Sequence, residues 1–185
     1  DQIWAKPPGA SPLVFHRDSP YFMFAPNDVM TVWVALDDMD EAIGPLQYVK
    51  GSHMWGGDAR VGSSQNFFDS GTTTNKNYSL NLAAEREGIT EPLQFVSMKG
   101  LKAGGISIHN GRTWHGSSQN KSKTKPRRGI GLHFVPAEVK WTCDARKSSL
   151  WKKYVPTTVD DQNVPKIPLN ENDFPLCYVR EGTKY

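Results

Sequence analysis

Apolar residues along the chain come in short bursts rather than at helical spacing. Six runs stand out: Pro12–His16, Val29–Leu36, Leu46–Val49, Leu93–Met98, Gly105–His109 and Gly129–Val135. They are rich in Val, Ile, Leu and Phe and are separated by Gly, Pro, Asn and Asp, which predicts β-strands joined by turns. Asn110-Gly111 is turn chemistry of the hairpin kind. Only Ser79–Gly88 and Ser148–Val155 carry helical patterning, each with a serine placed to cap its first turn. A parallel βαβ sheet needs regularly interleaved helices, so the pattern predicts an all-β antiparallel sandwich or barrel with few short helices.

Composition narrows the class. A chain of 185 residues forms one domain with a normal core, and residues 1–185 are read as such. The net charge of +3 is too small to make nucleic acid or a membrane surface the main partner. No apolar run approaches the roughly 20 residues that span a bilayer. Cys143 and Cys177 fit neither a disulfide framework nor a zinc ribbon, so a reducing, cytoplasm-like compartment is expected. The stretch 56–76 is polar and rich in Gly, Ser and Thr but carries Phe67-Phe68. Such a segment suits a lid that closes on an apolar substrate portion and excludes water; an inert insertion is the alternative.

The chain has no phosphate-binding glycine loop, no HExxH, no GxSxG and no CxxC. What it offers is a distributed set of His, Asp and Arg. His16 and Asp18 are two apart at the end of a predicted strand and therefore share a face. A further ligand comes from His109 or His115, beyond the strand at 105–109. Two histidines and a carboxylate on one face form the facial triad of non-haem Fe(II) oxygenases. A dicarboxylate co-substrate such as 2-oxoglutarate would chelate that iron and offer its far carboxylate to an arginine. In Arg127–Phe134, alternation places Arg127, Gly129, Gly131 and His133 on a small, polar face and Arg128, Ile130, Leu132 and Phe134 on the other. Arg127 is thus preferred over Arg128 as the anchor. The plainer reading makes Lys121, Lys123, Lys125, Arg127 and Arg128 a solvated basic loop.

Several segments together resemble the phytanoyl-CoA dioxygenase family of Fe(II)- and 2-oxoglutarate-dependent oxygenases. They are His16–Phe22, Val32–Leu36, Gly44–His53, His115–Asn120 and Arg127–Phe134, in the family's order. The resemblance implies a double-stranded β-helix (jelly-roll) fold, iron held by His16, Asp18 and His115, and Arg127 on the distal carboxylate of 2-oxoglutarate. It places Ser117 and Trp33 in the walls of that co-substrate pocket and makes His53 a supporting residue. The expected activity is hydroxylation of a small-molecule or acyl substrate with O2, 2-oxoglutarate being decarboxylated to succinate. Asp18 occupies the position a halogenase would vacate for chloride. Two departures stand out: Arg17 sits where the family often has Gln, and the family usually carries about a hundred more residues before the HxD. The chain is therefore expected to be a catalytic-core fragment or to have a trimmed co-substrate pocket. A non-catalytic metal-binding jelly roll is the competing class.

Overall fold

A computed structural model of the chain describes residues 1–56 and 78–179. Residues 57–76 of the expected lid, Phe67-Phe68 included, lie outside the described residues. The strands are β1 (Gln2–Lys6), β2 (Leu13–His16), β3 (Phe24–Ala25), β4 (Met30–Ala35), β5 (Leu46–Val49), β6 (Phe95–Ser97), β7 (Ile106–Asn110), β8 (His115–Ser117), β9 (Arg127–Phe134) and β10 (Lys140–Trp141). The chain packs as two compact units. The first comprises Asp1–Pro20 and Val29–Phe134, the second Tyr21–Asp28 and Val135–Tyr185.

In the first unit, two four-stranded antiparallel sheets run in the orders β1-β9-β4-β7 and β2-β8-β5-β6. From β1 to β9 the chain switches sheets at every step except β5 to β6, which is the winding of a double-stranded β-helix. Trp33, Ala35, Leu46 and Tyr48 meet between the sheets and bury Met39 and Ile43 with them. The Tyr48 hydroxyl and Ser107 Oγ, on opposing sheets, are hydrogen-bonded at 2.8 Å.

The helix α1 (Tyr78–Arg86) stands close to the predicted Ser79–Gly88. It ends where Gly88 takes φ +67° and Ile89 N–H returns to Ala84 O at 3.0 Å, the left-handed stop that glycine makes without strain. Leu80 packs with Phe15, Val49 and Trp114, so α1 covers the outer face of the second sheet. The first sheet's outer face keeps Ile3, Ile106 and Ile108 more than half exposed.

The second unit pairs β3 with β10, Phe24 opposite Trp141. Phe24 makes edge-on contacts at 5.0 Å with both Trp141 and Trp151. The helix predicted at Ser148–Val155 is instead a run of turns. An eight-residue segment pays most of the cost of helix nucleation for few bonds. Here Trp151 turns its ring into the aromatic cluster, and its Nε1 donates to Tyr21 O at 2.5 Å.

Candidate active site

Strand β8 organises the interior of the first unit. His115 faces both neighbours in register, His16 on β2 and Tyr48 on β5, while Ser117 lies opposite Leu13 and Leu46. Strand alternation puts His115 and Ser117 on one face, and a Cβ on the intervening Gly116 would press on the Phe15 ring on the other.

Around His115 three ligand-type side chains converge. One atom from each of His16, Asp18 and His115 lies within 4.8 Å of the others, and all three residues are buried. The Nε2 atoms of His115 and His16 stand 3.5 and 3.8 Å from Asp18 Oδ1. Both imidazoles are oriented from behind: His16 Nδ1 donates to Val14 O at 2.8 Å and His115 Nδ1 to Thr113 O at 3.0 Å. A carbonyl only accepts, so the proton sits on Nδ1 and each Nε2 lone pair points inward. Burial drives the His115 pKa down to about 3 and lowers that of His16, which keeps both rings neutral. Burial opposes ionisation of Asp18, but the neighbouring His115, the hydrogen bond from His109 and His16 outweigh it and hold the carboxyl well below the usual range. Three acceptor atoms thus face one another, an arrangement that suits a cation and fits a facial triad.

A second cluster surrounds Ser117. Arg127, only 4% exposed, opens β9 opposite Lys6, only 6% exposed, which closes β1. Lys6 Nζ donates to Ser117 Oγ at 2.9 Å and also to Ser118 O; Arg127 Nη2 donates to the same hydroxyl at 3.4 Å. The Arg127 guanidinium lies 5.8 Å from the Trp33 ring centroid, and its buried Nε has no hydrogen-bond partner among the described residues. Burial lowers the Arg127 pKa to about 10, so it stays charged. Among the described residues no carboxylate pairs with it. A buried cation in that state suits an anionic ligand. A cavity of about 200 Å³ lined by Trp4, Lys6, Leu13 and Arg127 opens beside it. Arg128 is exposed on the other face and forks onto Asp37 at 2.6 and 3.1 Å. Lys121, Lys123 and Lys125 form the solvated basic loop, which Arg127 does not join.

Trp33 owes its place to Gly129: a Cβ there would fall inside the indole ring. His133 lines the same interior face, partly buried. His53 is exposed rather than supporting the site; its neighbour Ser52 is the buried residue, donating to Val49 O and accepting from Trp114 N–H. Arg17 points away from the ligand cluster and lies over Trp114 at 5.4 Å. Sequence reasoning missed Lys6, Thr31 and Tyr48 and weighed His109 only as a rival to His115. Thr31 and His109 both bond to Asp18. The signal for Lys6 is a period-two pattern in Ile3-Trp4-Ala5-Lys6, but the apolar Ile3 faces outward and the lysine inward.

The phytanoyl-CoA dioxygenase (PhyH) family model matches residues 1–129, and the chain belongs to that family. A curated relative from Stutzerimonas stutzeri, named a probable alpha-ketoglutarate-dependent hypophosphite dioxygenase, is 28% identical over 134 residues. That match covers 72% of this chain and 43% of the relative, so the chain spans less than half the relative's length. Among solved structures, the epimerase SnoN, in complex with Fe3+, alpha ketoglutarate and nogalamycin RO, superposes with a TM-score of 0.54 at 22% identity. The alpha ketoglutarate dependent carbocyclase SnoK gives 0.54 at 23%; in both cases 75% of this chain and 49% of the other are covered. These likenesses establish the shared jelly-roll fold.

Proposed function

We propose that the chain is the catalytic core of an Fe(II)- and 2-oxoglutarate-dependent dioxygenase that hydroxylates a small-molecule or acyl substrate, with 2-oxoglutarate decarboxylated to succinate. His16 Nε2, Asp18 Oδ1 and His115 Nε2 would hold the iron, and Arg127, Ser117 and Lys6 the distal carboxylate of 2-oxoglutarate. Trp33 forms the wall beside that carboxylate. When bound, the iron supplies the redox chemistry that couples O2 to decarboxylation.

The chain's own contribution is positioning and desolvation. The two imidazoles offer neutral lone pairs without prior deprotonation, and Asp18 brings one negative charge. The observation that carries the reading is Arg127, a buried cation on β9 whose guanidinium meets Ser117, two residues along β8 from His115. Two strand residues span roughly 7 Å, the reach of a short diacid. Burial raises the Tyr48 pKa to about 12, so its hydroxyl stays protonated in this interior.

Anaerobic titration with Fe(II) and then 2-oxoglutarate tests the reading, followed by succinate production against a panel of acyl, amino-acid and small oxyanion substrates, hypophosphite included. One Fe(II) per chain, 2-oxoglutarate binding that requires Arg127, and substrate-stimulated succinate are expected. Metal binding without any 2-oxoglutarate decarboxylation would identify a binding module instead.

A further inference from the structure

Asp18 is held asymmetrically. Its Oδ1 faces the Nε2 atoms of His16 and His115, whereas Oδ2 faces away from them into the first sheet. There Thr31 Oγ1 donates to Oδ2 at 2.7 Å and His109 Nε2 at 3.2 Å. A carboxylate oxygen only accepts, so His109 carries its proton on Nε2. Thr31 on β4 pairs in register with His109 on β7 and with His133 on β9, so the donors belong to one row across the sheet. His109 is buried, and among the described residues its Nδ1 has no hydrogen-bond partner. A histidine serving only the core would satisfy both nitrogens, since an orphaned buried acceptor or donor costs stability. This one gives up a bond at Nδ1 and keeps the one at Asp18.

We infer that Thr31 and His109 are positioning residues that fix Asp18 as a single-oxygen ligand by occupying Oδ2. The inference rests on the iron reading proposed above. A metal held by these three residues would have to keep its remaining positions open for the chelating 2-oxo acid and O2. An Asp18 free to swing Oδ2 inward would become bidentate and close one of them. Both lone pairs that such a swing needs are engaged by Thr31 and His109. The row also stiffens the site, because β4 lies between β7 and β9 and cannot shift without breaking both ladders.

Co(II), whose visible absorption reports coordination number, is the probe, read on the whole chain without oxygen or turnover. Thr31→Val is close in shape and removes one donor; His109→Leu removes the other; His109→Gln restores an N–H near the position of Nε2. Thr31→Val and His109→Leu should each raise the Co(II) dissociation constant about tenfold or more, the cost usual for outer-sphere changes. They should also weaken the visible bands as the coordination number rises, and His109→Gln should return most of both effects. Thermal unfolding of the metal-free variants separates this from general damage, and Thr31→Val carries the test if His109→Leu does not fold. Wild-type binding of Co(II) with both variants within twofold and spectra unchanged would overturn the inference alone. So would loss of binding in His109→Leu as complete as in His115→Ala with Thr31→Val unaffected, which would make His109 a ligand. A wild-type chain that does not bind Co(II) would overturn the iron reading, and this inference with it.

Discussion

Two buried polar clusters two residues apart on β8 have opposite character. Around His115, three acceptor atoms converge and the protein's own donors are spent behind them, on Val14 O, Thr113 O and Asp18 Oδ2. Around Ser117, donors converge: Lys6 and Arg127 both reach the same hydroxyl, and among the described residues no carboxylate pairs with Arg127, which lies beside the Trp33 indole. The first arrangement suits a cation, the second an anion. The contrast teaches that the sign of the uncompensated group, rather than the mere presence of buried polar residues, tells what a site takes.

The contrast breaks most severely if the acceptor cluster is not the metal site. His115→Ala should weaken Fe(II) binding by more than the ~100-fold that outer-sphere changes reach. An unchanged metal content, measured by equilibrium dialysis, would show that the acceptors converge for another reason. At the donor cluster, Arg127→Ala should weaken 2-oxoglutarate by about 30-fold or more, or roughly 2 kcal/mol, by calorimetry on the anaerobic iron complex. Arg128→Ala should leave it unchanged, because that guanidinium is committed to Asp37 on the outer face. The reverse result would mean that β9 presents its other face to the interior.

Acidification sharpens the comparison, since the acceptor cluster holds histidines whose pKa burial lowers while Arg127 stays charged. His115, near 3 when folded and 6.5 when unfolded, takes up its proton on unfolding. Its contribution is therefore fully present above about pH 6.5 and is lost as pH falls toward 3. His16, also lowered, acts in the same direction. The metal-free chain should lose stability on going from pH 7 to 5, by up to about 1.4 kcal/mol per pH unit from His115 once well below 6.5, with His16 adding in the same direction. A flat denaturation midpoint over that range would mean that the rings are not buried neutral. Gly129→Ala is expected to have a smaller effect, about 1–3 kcal/mol, by forcing Trp33 from its bed. It should weaken 2-oxoglutarate while leaving Fe(II) affinity intact, which would separate the two clusters.

Much of the first unit was legible in the sequence. The runs at 46–49 and 30–35 needed only period-two alternation and turn residues, and the Arg127/Arg128 faces follow from one strand read in isolation. Lys6 was not legible, because alternation tells that two faces differ but not which one faces inward. On β1 the apolar Ile3 is 75% exposed and the lysine is buried. Thr31 and His109 escaped for another reason. Their meaning lies in a contact with Asp18 across 13 and 91 residues, which no local pattern encodes. Trp151 shows the limit in the second unit: helical spacing was present, but the segment is a run of turns with the Trp151 ring packed in the aromatic cluster.

Asn120, fully buried, has a bearing on how this scaffold can change. Its side-chain amide donates to Lys6 O, Pro7 O and Lys125 O, and its Oδ1 receives Ser122 N–H. One amide thereby clasps the end of β1, the approach to β9 and the base of the basic loop at 121–125. The pairing of Lys6 with Arg127 across β1 and β9 is thus supported by this clasp as well as by the ladder. Closing a longer loop costs little, about 0.6 kcal/mol per doubling. The solvated lysines are therefore an exchangeable rim: residues could be inserted or swapped there while the two interior cations keep their register.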